Sequence, residues 1–236
     1  MWDKYIYLIG GVIFNLLTLL ICLRRRDLTK KALLIGSLTF AVSFVALIFS
    51  RDYWHPPVLI GSSHLSFEDF FFDFGIISFV YVLYPALTHS AYSKDKPYKP
   101  QLKTYLGFVI ASLLGIFIIN LWLGFNSVIL CSISLVCYTV VMCVMRPDLI
   151  KQSLVCGLIL LVISTGLYII FFDWLAPDYW DKYWYLAGSR YGVKILGNVP
   201  ITEISWYMAW GLFGGISFPF VEGRKLVPLA AKDASK

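Results

Sequence analysis

Residues 64–73 read His64-Leu65-Ser66-Phe67-Glu68-Asp69-Phe70-Phe71-Phe72-Asp73, and residues 199–206 read Val199-Pro200-Ile201-Thr202-Glu203-Ile204-Ser205-Trp206. In both, acids stand where a hydrophilic loop enters an apolar run. A carboxylate at the rim of hydrocarbon is costly to keep charged, which makes these acids the leading functional candidates. The apolar runs around them decide the fold. They cover roughly residues 5–23, 32–50, 70–88, 104–124, 127–145, 152–172 and 204–221, each near the ~20 residues that cross a bilayer as a helix. With 236 residues, 59% hydrophobic, 14% charged and a mean hydropathy of +0.75, the chain is too apolar for an ordinary soluble domain. The expectation is an all-α membrane protein of about seven transmembrane helices. The first run is long, lacks a basic leader and is followed by Arg24-Arg25-Arg26, so it reads as a retained span and not a removable signal.

Short loops rich in Lys and Arg stay on the cytoplasmic side. The loops after the first, third and fifth runs carry Arg24, Arg25, Arg26, Lys30 and Lys31, then Lys94, Lys96, Lys99 and Lys103, then Arg146 and Lys151, and the tail adds Arg224 and Lys225. The alternation predicts a multi-pass protein of the cell membrane with its N-terminus outside and its C-terminus in the cytoplasm. The net charge of +6 is accounted for by this asymmetry, and no nucleic-acid partner is needed to explain it.

The chain also repeats itself. Asp27-Leu28-Thr29-Lys30-Lys31-Ala32-Leu33-Leu34-Ile35-Gly36 matches Asp148-Leu149-Ile150-Lys151-Gln152-Ser153-Leu154-Val155-Cys156-Gly157 in its Asp, Leu, Lys, Leu and Gly, at identical spacing. A long aromatic loop then leads to the acid motif in each copy, and Pro85 and Pro219 follow within the third span of each. The expected organisation is a first three-helix repeat over 1–91, a cytoplasmic linker and connector helix over 92–125, a second three-helix repeat over 126–223 and a cytoplasmic tail over 224–236. Residues 230–236 are polar and read as frayed. With one span between them, the two repeats run parallel, and their acid motifs fall at the same outer level.

The outward loops hold Tyr53, Trp54, Trp174, Tyr179, Trp180, Tyr183, Trp184, Tyr185 and Tyr191. Such rings form interfacial belts, or line a cavity and stabilise a cation with their faces. Trp54, Phe67, Trp206 and Tyr207, close to the acids in sequence, are the candidate substrate-binding residues. Glu68 and Glu203 can also serve as plain N-terminal charges favoured by the helix dipole. Asp73 lies about a turn inside an apolar span and is harder to account for in that way. Arg51 and Arg190 are interfacial side chains or charge partners that tune the acids.

The twofold repeat, the seven spans and a degenerate Pro-x-Glu-Glu/Asp signature resemble the integral-membrane lycopene cyclase family, in its fused form. The first copy here is Ser66-Phe67-Glu68-Asp69, with Ser in place of Pro, and the second is Pro200-Ile201-Thr202-Glu203, with Thr in place of the first acid. The resemblance implies a non-redox cyclisation of a carotenoid end group without a cofactor. A terminal alkene is protonated, the tertiary cation is attacked by a neighbouring double bond, and a proton leaves the new ring. Such a site needs an acid kept protonated by burial, a base, and walls that exclude water. Moving a Glu from ~4.3 to near 7 takes about 3.7 kcal/mol of differential destabilisation of its charged form. Glu68 or Asp69 is the expected proton donor, Glu203 the partner acid or base, and Asp73 shares the face of Asp69 four residues on. Adjacent Glu68 and Asp69 are ~100° apart around a helix, so only one faces a given cavity.

The expected partner is a lipid-soluble polyene entering from the membrane, with a homodimer or contact with other carotenoid-pathway enzymes compatible. A membrane cyclase for another isoprenoid and a non-catalytic carotenoid-binding protein are the competing readings. Other chemistries lack their residues. A Gly-x-Gly-x-x-Gly dinucleotide fingerprint is absent, His55, His64 and His89 are scattered, and the last span has no Lys for a retinal Schiff base. The five cysteines lie in or beside spans without paired spacing, so no metal site is expected.

Overall fold

The computed structural model describes residues 2–38 and 43–229. The chain opens with α1 (Asp3–Arg24) and α2 (Arg26–Ser37), and after residues 39–42 resumes in a 3-10 turn and α3 (Ala46–Asp52). A hairpin of β1 (Gly61–Ser62) and β2 (Leu65–Ser66) leads into α4 (Phe67–Leu87) and the short β3 (Ser90–Tyr92). Then follow α5 (Leu102–Leu123), α6 (Ser127–Met145) and α7 (Ile150–Ile169), which continues as a π-helical stretch over Ile170–Leu175. The second outer loop carries α8 (Tyr179–Tyr183) and a hairpin of β4 (Lys194–Ile195) and β5 (Val199–Pro200). It enters α9 (Ile201–Glu222), which is followed by β6 (Leu226–Pro228).

Six of the described helices are long and apolar enough to cross a membrane: Asp3–Arg24, Phe67–Leu87, Leu102–Leu123, Ser127–Met145, Pro147–Leu175 and Ile201–Glu222. The chain is an all-α membrane protein, with six such helices where the sequence suggests seven. The difference falls on the expected span 32–50, whose described parts are α2 and α3 and whose residues 39–42 lie outside the described residues. The expectation of a frayed end at 230–236 likewise lies outside them.

Helices entering hydrocarbon must satisfy their first N–H groups without water. At α4 this is done by Ser66, whose hydroxyl accepts from the Asp69 N–H while the Asp69 carboxylate accepts from the Ser66 N–H, a reciprocal capping box. Asn126 caps α6 by accepting from Val128 and Ile129. In α9, Pro219 cannot donate to the carbonyl one turn back, and the Gln152 amide donates to that Gly215 carbonyl at 2.6 Å instead.

Packing is organised by two close helix pairs, α1 with α4 and α7 with α9, and α4 and α9 also touch each other. Small residues permit the approach. A Cβ placed on Gly211 would lie 2.6 Å from the Cys156 carbonyl oxygen of α7. The basic loops gather at one end. There Arg25 pairs with Asp27 and donates to the Pro85 and Ser90 carbonyls, and Arg146 pairs with Asp148 and donates to the Pro219 and Arg224 carbonyls. The β3–β6 ribbon joins the chain after α4 to the chain after α9 at this same end. Helix α5 leans on α6 and α9 and turns Leu106, Ile110, Leu114, Phe117 and Ile118 outward.

Candidate functional site

The opposite end holds both acid motifs, and the geometry there follows from helical periodicity. Residues i and i+4 share a helix face, so Asp69 and Asp73 of α4 look one way, and Glu203 and Tyr207 of α9 look one way. Both faces border a single cavity of about 220 Å³. Trp54, Trp206, Trp210, Phe14 and Phe72 contribute rings to its wall, and the hydroxyl-bearing Tyr7, Tyr53 and Tyr168 complete the acid end. From there it runs along α5, α6 and α9 to Tyr105, Tyr138 and Phe213. From Glu203 to Phe213 is ten residues, about 15 Å of helix. The sequence-predicted Asp69, Asp73, Glu203, Trp54, Trp206 and Tyr207 are thus brought together.

Each acid has distinct surroundings. Asp69, 8% exposed, accepts the Tyr7 hydroxyl on Oδ1 at 2.7 Å, and the Ser66 N–H and hydroxyl on Oδ2 at 2.7 and 2.8 Å. Glu203, equally buried, accepts the Tyr53 hydroxyl on Oε1 and the Tyr168 hydroxyl on Oε2. Asp73 accepts the Ser43 hydroxyl on Oδ2 at 2.6 Å and lines the cavity. The Tyr168 hydroxyl also lies 3.3 Å from that of Tyr207. Burial, followed by the neighbouring Glu203 carboxylate, holds the Tyr53 phenol well above its usual range, so Tyr53 keeps its proton and donates at neutral pH.

Four expected site residues lie elsewhere. Glu68 is 1% exposed but outside the cavity, because it points about 100° away from Asp69 around α4. There one oxygen accepts the Leu59 N–H at 2.6 Å and the other is buried without a hydrogen bond among the described residues. Its contact is with the loop before the β1–β2 hairpin. Phe67 is half-exposed and stacks on Phe71, one helical turn on. Arg51 is exposed, and exposed Arg190 donates to the Tyr191 hydroxyl and lies over its ring. Neither guanidinium borders the acids, because both sit on the outer surface and the acids turn inward.

Sequence reasoning did not assign the phenols. Tyr7 reaches Asp69 across 62 residues and Tyr53 reaches Glu203 across 150. The one available signal is that Tyr7 and Tyr168 are hydroxyl-bearing residues inside otherwise apolar spans, where a polar group needs a partner. Also unassigned was Asp52, which accepts from Asn120, the Ser127 N–H and the Ser127 hydroxyl and so ties α3 to the α5–α6 turn beside the cavity.

The arrangement brings carboxyl and phenol groups together with aromatic ring faces on one cavity. Residues 126–221 match the family model described as lycopene cyclase, a segment that contains Glu203, Tyr168 and Tyr207. No curated protein and no solved structure matches the chain.

Proposed function

We propose, from the match of residues 126–221 to the lycopene cyclase family model, that this chain converts a lycopene end group to a β-ionone ring by acid catalysis. The observation that carries this reading is the convergence of Asp69, Asp73 and Glu203 on one aromatic-walled cavity inside a membrane bundle. The reaction is an isomerisation: a proton is added to the terminal alkene, a carbon–carbon bond closes the ring, and a proton is removed. The proton donor in such a step is a carboxyl within reach of the alkene, and the base is a second group on the same cavity. The rings of Trp54, Phe72, Trp206 and Tyr207 supply negative faces to the cation and keep water from quenching it.

The substrate enters sideways from the bilayer, since a long polyene has negligible solubility in water. Two parallel three-helix repeats, 1–91 and 126–223, form the site jointly, with the N-terminus outside and the C-terminus cytoplasmic. The repeat is supported by two recurring pairs: Arg25–Asp27 recurs as Arg146–Asp148, and Asp69 recurs as Glu203 at a longer offset because the second outer loop is longer than the first. A second reading, carotenoid binding without turnover, is favoured by one fact: every oxygen of Asp69 and Glu203 already takes a protein hydrogen bond.

Expression in a lycopene-accumulating host, with pigment analysis by chromatography and mass detection, tests the proposal. A product of unchanged mass that is abolished in Asp69→Asn, Asp73→Asn or Glu203→Gln at equal membrane levels supports cyclisation. Persistence of lycopene beside well-expressed wild-type protein removes the lycopene assignment.

A further inference from the structure

The two acid motifs are related by a constant offset that pairs Asp69 with Glu203 and, one turn deeper, Asp73 with Tyr207. The deeper pair differs from the upper pair in its hydrogen bonds. Asp69 is held on both oxygens by Tyr7 and Ser66, and Glu203 on both by Tyr53 and Tyr168. Among the described residues Asp73 takes one side-chain hydrogen bond, from Ser43 on Oδ2, and it lines the cavity. Tyr207 lines the cavity between the rings of Phe14 and Phe72, with its hydroxyl 3.3 Å from that of Tyr168. A chain of hydroxyls therefore leads from the cavity through Tyr207 and Tyr168 to Glu203, while Asp73 faces the cavity directly.

Resting on the cyclisation reading, we propose that Asp73 and Tyr207 are the residues that exchange protons with the substrate, and that the motif acids Asp69 and Glu203 act through them. The Asp73 carboxyl gives its proton to the terminal alkene carbon, whose π electrons form the new C–H bond and leave a tertiary cation. The neighbouring double bond closes the ring and moves the cation to a ring carbon. The proton on the adjacent carbon passes to the Tyr207 oxygen as its C–H electrons form the ring double bond. At the same time Tyr207 hands its own proton to Tyr168, and Tyr168 hands its proton to the Glu203 carboxylate. One proton enters and one leaves, no electrons are gained or lost, and both phenols end neutral. The enzyme resets by returning a proton from Glu203 to Asp73. Asp69, one turn above Asp73 and fixed by Tyr7, is a positioning residue.

The test is Tyr207→Phe, which removes one hydroxyl and keeps the ring, assayed in membranes with lycopene beside wild type, Tyr168→Phe and Asp73→Asn. The expected result is a loss of turnover of roughly 100-fold in Tyr207→Phe, the lower range of general acid–base effects, with KM changed less than about threefold. Because the cation still forms, the residual product should contain isomers with a misplaced double bond or alcohols from water capture. Tyr168→Phe should give the same altered products, which keeps the test decisive if Tyr207→Phe accumulates poorly. Asp73→Asn should give no cyclic product of any kind. Tyr207→Phe and Tyr168→Phe both retaining wild-type turnover and product, while Glu203→Gln is inactive, would overturn the relay and assign proton removal to Glu203 directly. Failure of wild type itself to convert lycopene refutes the cyclisation reading, a result distinct from either outcome among the variants.

Discussion

Glu68 and Asp69 are neighbours in the chain and have almost nothing else in common. One secures a loop through Leu59 and the other faces the cavity beneath Tyr7. Glu68→Gln keeps an oxygen for the Leu59 N–H, and is expected to retain turnover within about threefold of wild type, since removal of a carboxylate outside the site leaves proton transfer intact. Asp69→Asn should lose roughly 10²-fold, as for other groups that assist general acid–base steps. Because the Tyr7 hydroxyl binds the same carboxylate, the Tyr7→Phe and Asp69→Asn effects should fall short of additivity in a double-mutant cycle on kcat. Full additivity would mean that Tyr7 does not act through Asp69. The acids themselves were legible in sequence, because a charge beside Phe70-Phe71-Phe72 violates the pattern around it. Their phenolic partners were not, since pairing across 62 and 150 residues leaves no local trace.

At the scale of elements, the long apolar runs declare α1, α4, α5, α6, α7 and α9 because nothing else satisfies a backbone in hydrocarbon. The region 32–50 is less simple. Its hydropathy suggests one span, and its described parts are α2 before residues 39–42 and a 3-10 turn with α3 after them. What holds α3 at the cavity is Asp52, whose carboxylate serves Asn120 and the start of α6. Asp52→Ala should cost about 2 kcal/mol, the scale of hydrogen bonds to a charged group, read as a lower unfolding midpoint in detergent. The α7–α9 contact makes the opposite demand, for lack of bulk. Gly211→Val places side-chain atoms against the Cys156 carbonyl and should cost at least the ~1–3 kcal/mol of an overpacked core. Reduced accumulation of that variant, with Gly107→Val unaffected, is the expected contrast, because nothing lies within 4 Å of a Cβ at Gly107.

For the whole molecule, Arg25, Arg146 and Arg224 gather at one end, and the charge rule makes that end the expected cytoplasmic one. Single cysteines at Asp95 and at Ser189, in a variant lacking the five native cysteines, should label oppositely in intact cells. An impermeant thiol reagent should reach position 189 and not position 95, and the reverse result inverts the topology. Lys and Arg alone supply the expected orientation that this labelling decides, whereas the expectation that the two motifs converge on one cavity extends the repeat.

Glu203 is completed by one phenol from its own half of the chain, Tyr168, and by another, Tyr53, made 150 residues earlier. Biogenesis therefore has a direction. The ribosome delivers the donating phenol long before the acid exists, and α9 brings in a carboxylate whose hydrogen-bond donor is already waiting. A chain whose early helices have gone astray would present that carboxylate bare to lipid, and so would identify itself to the machinery that degrades misassembled membrane proteins.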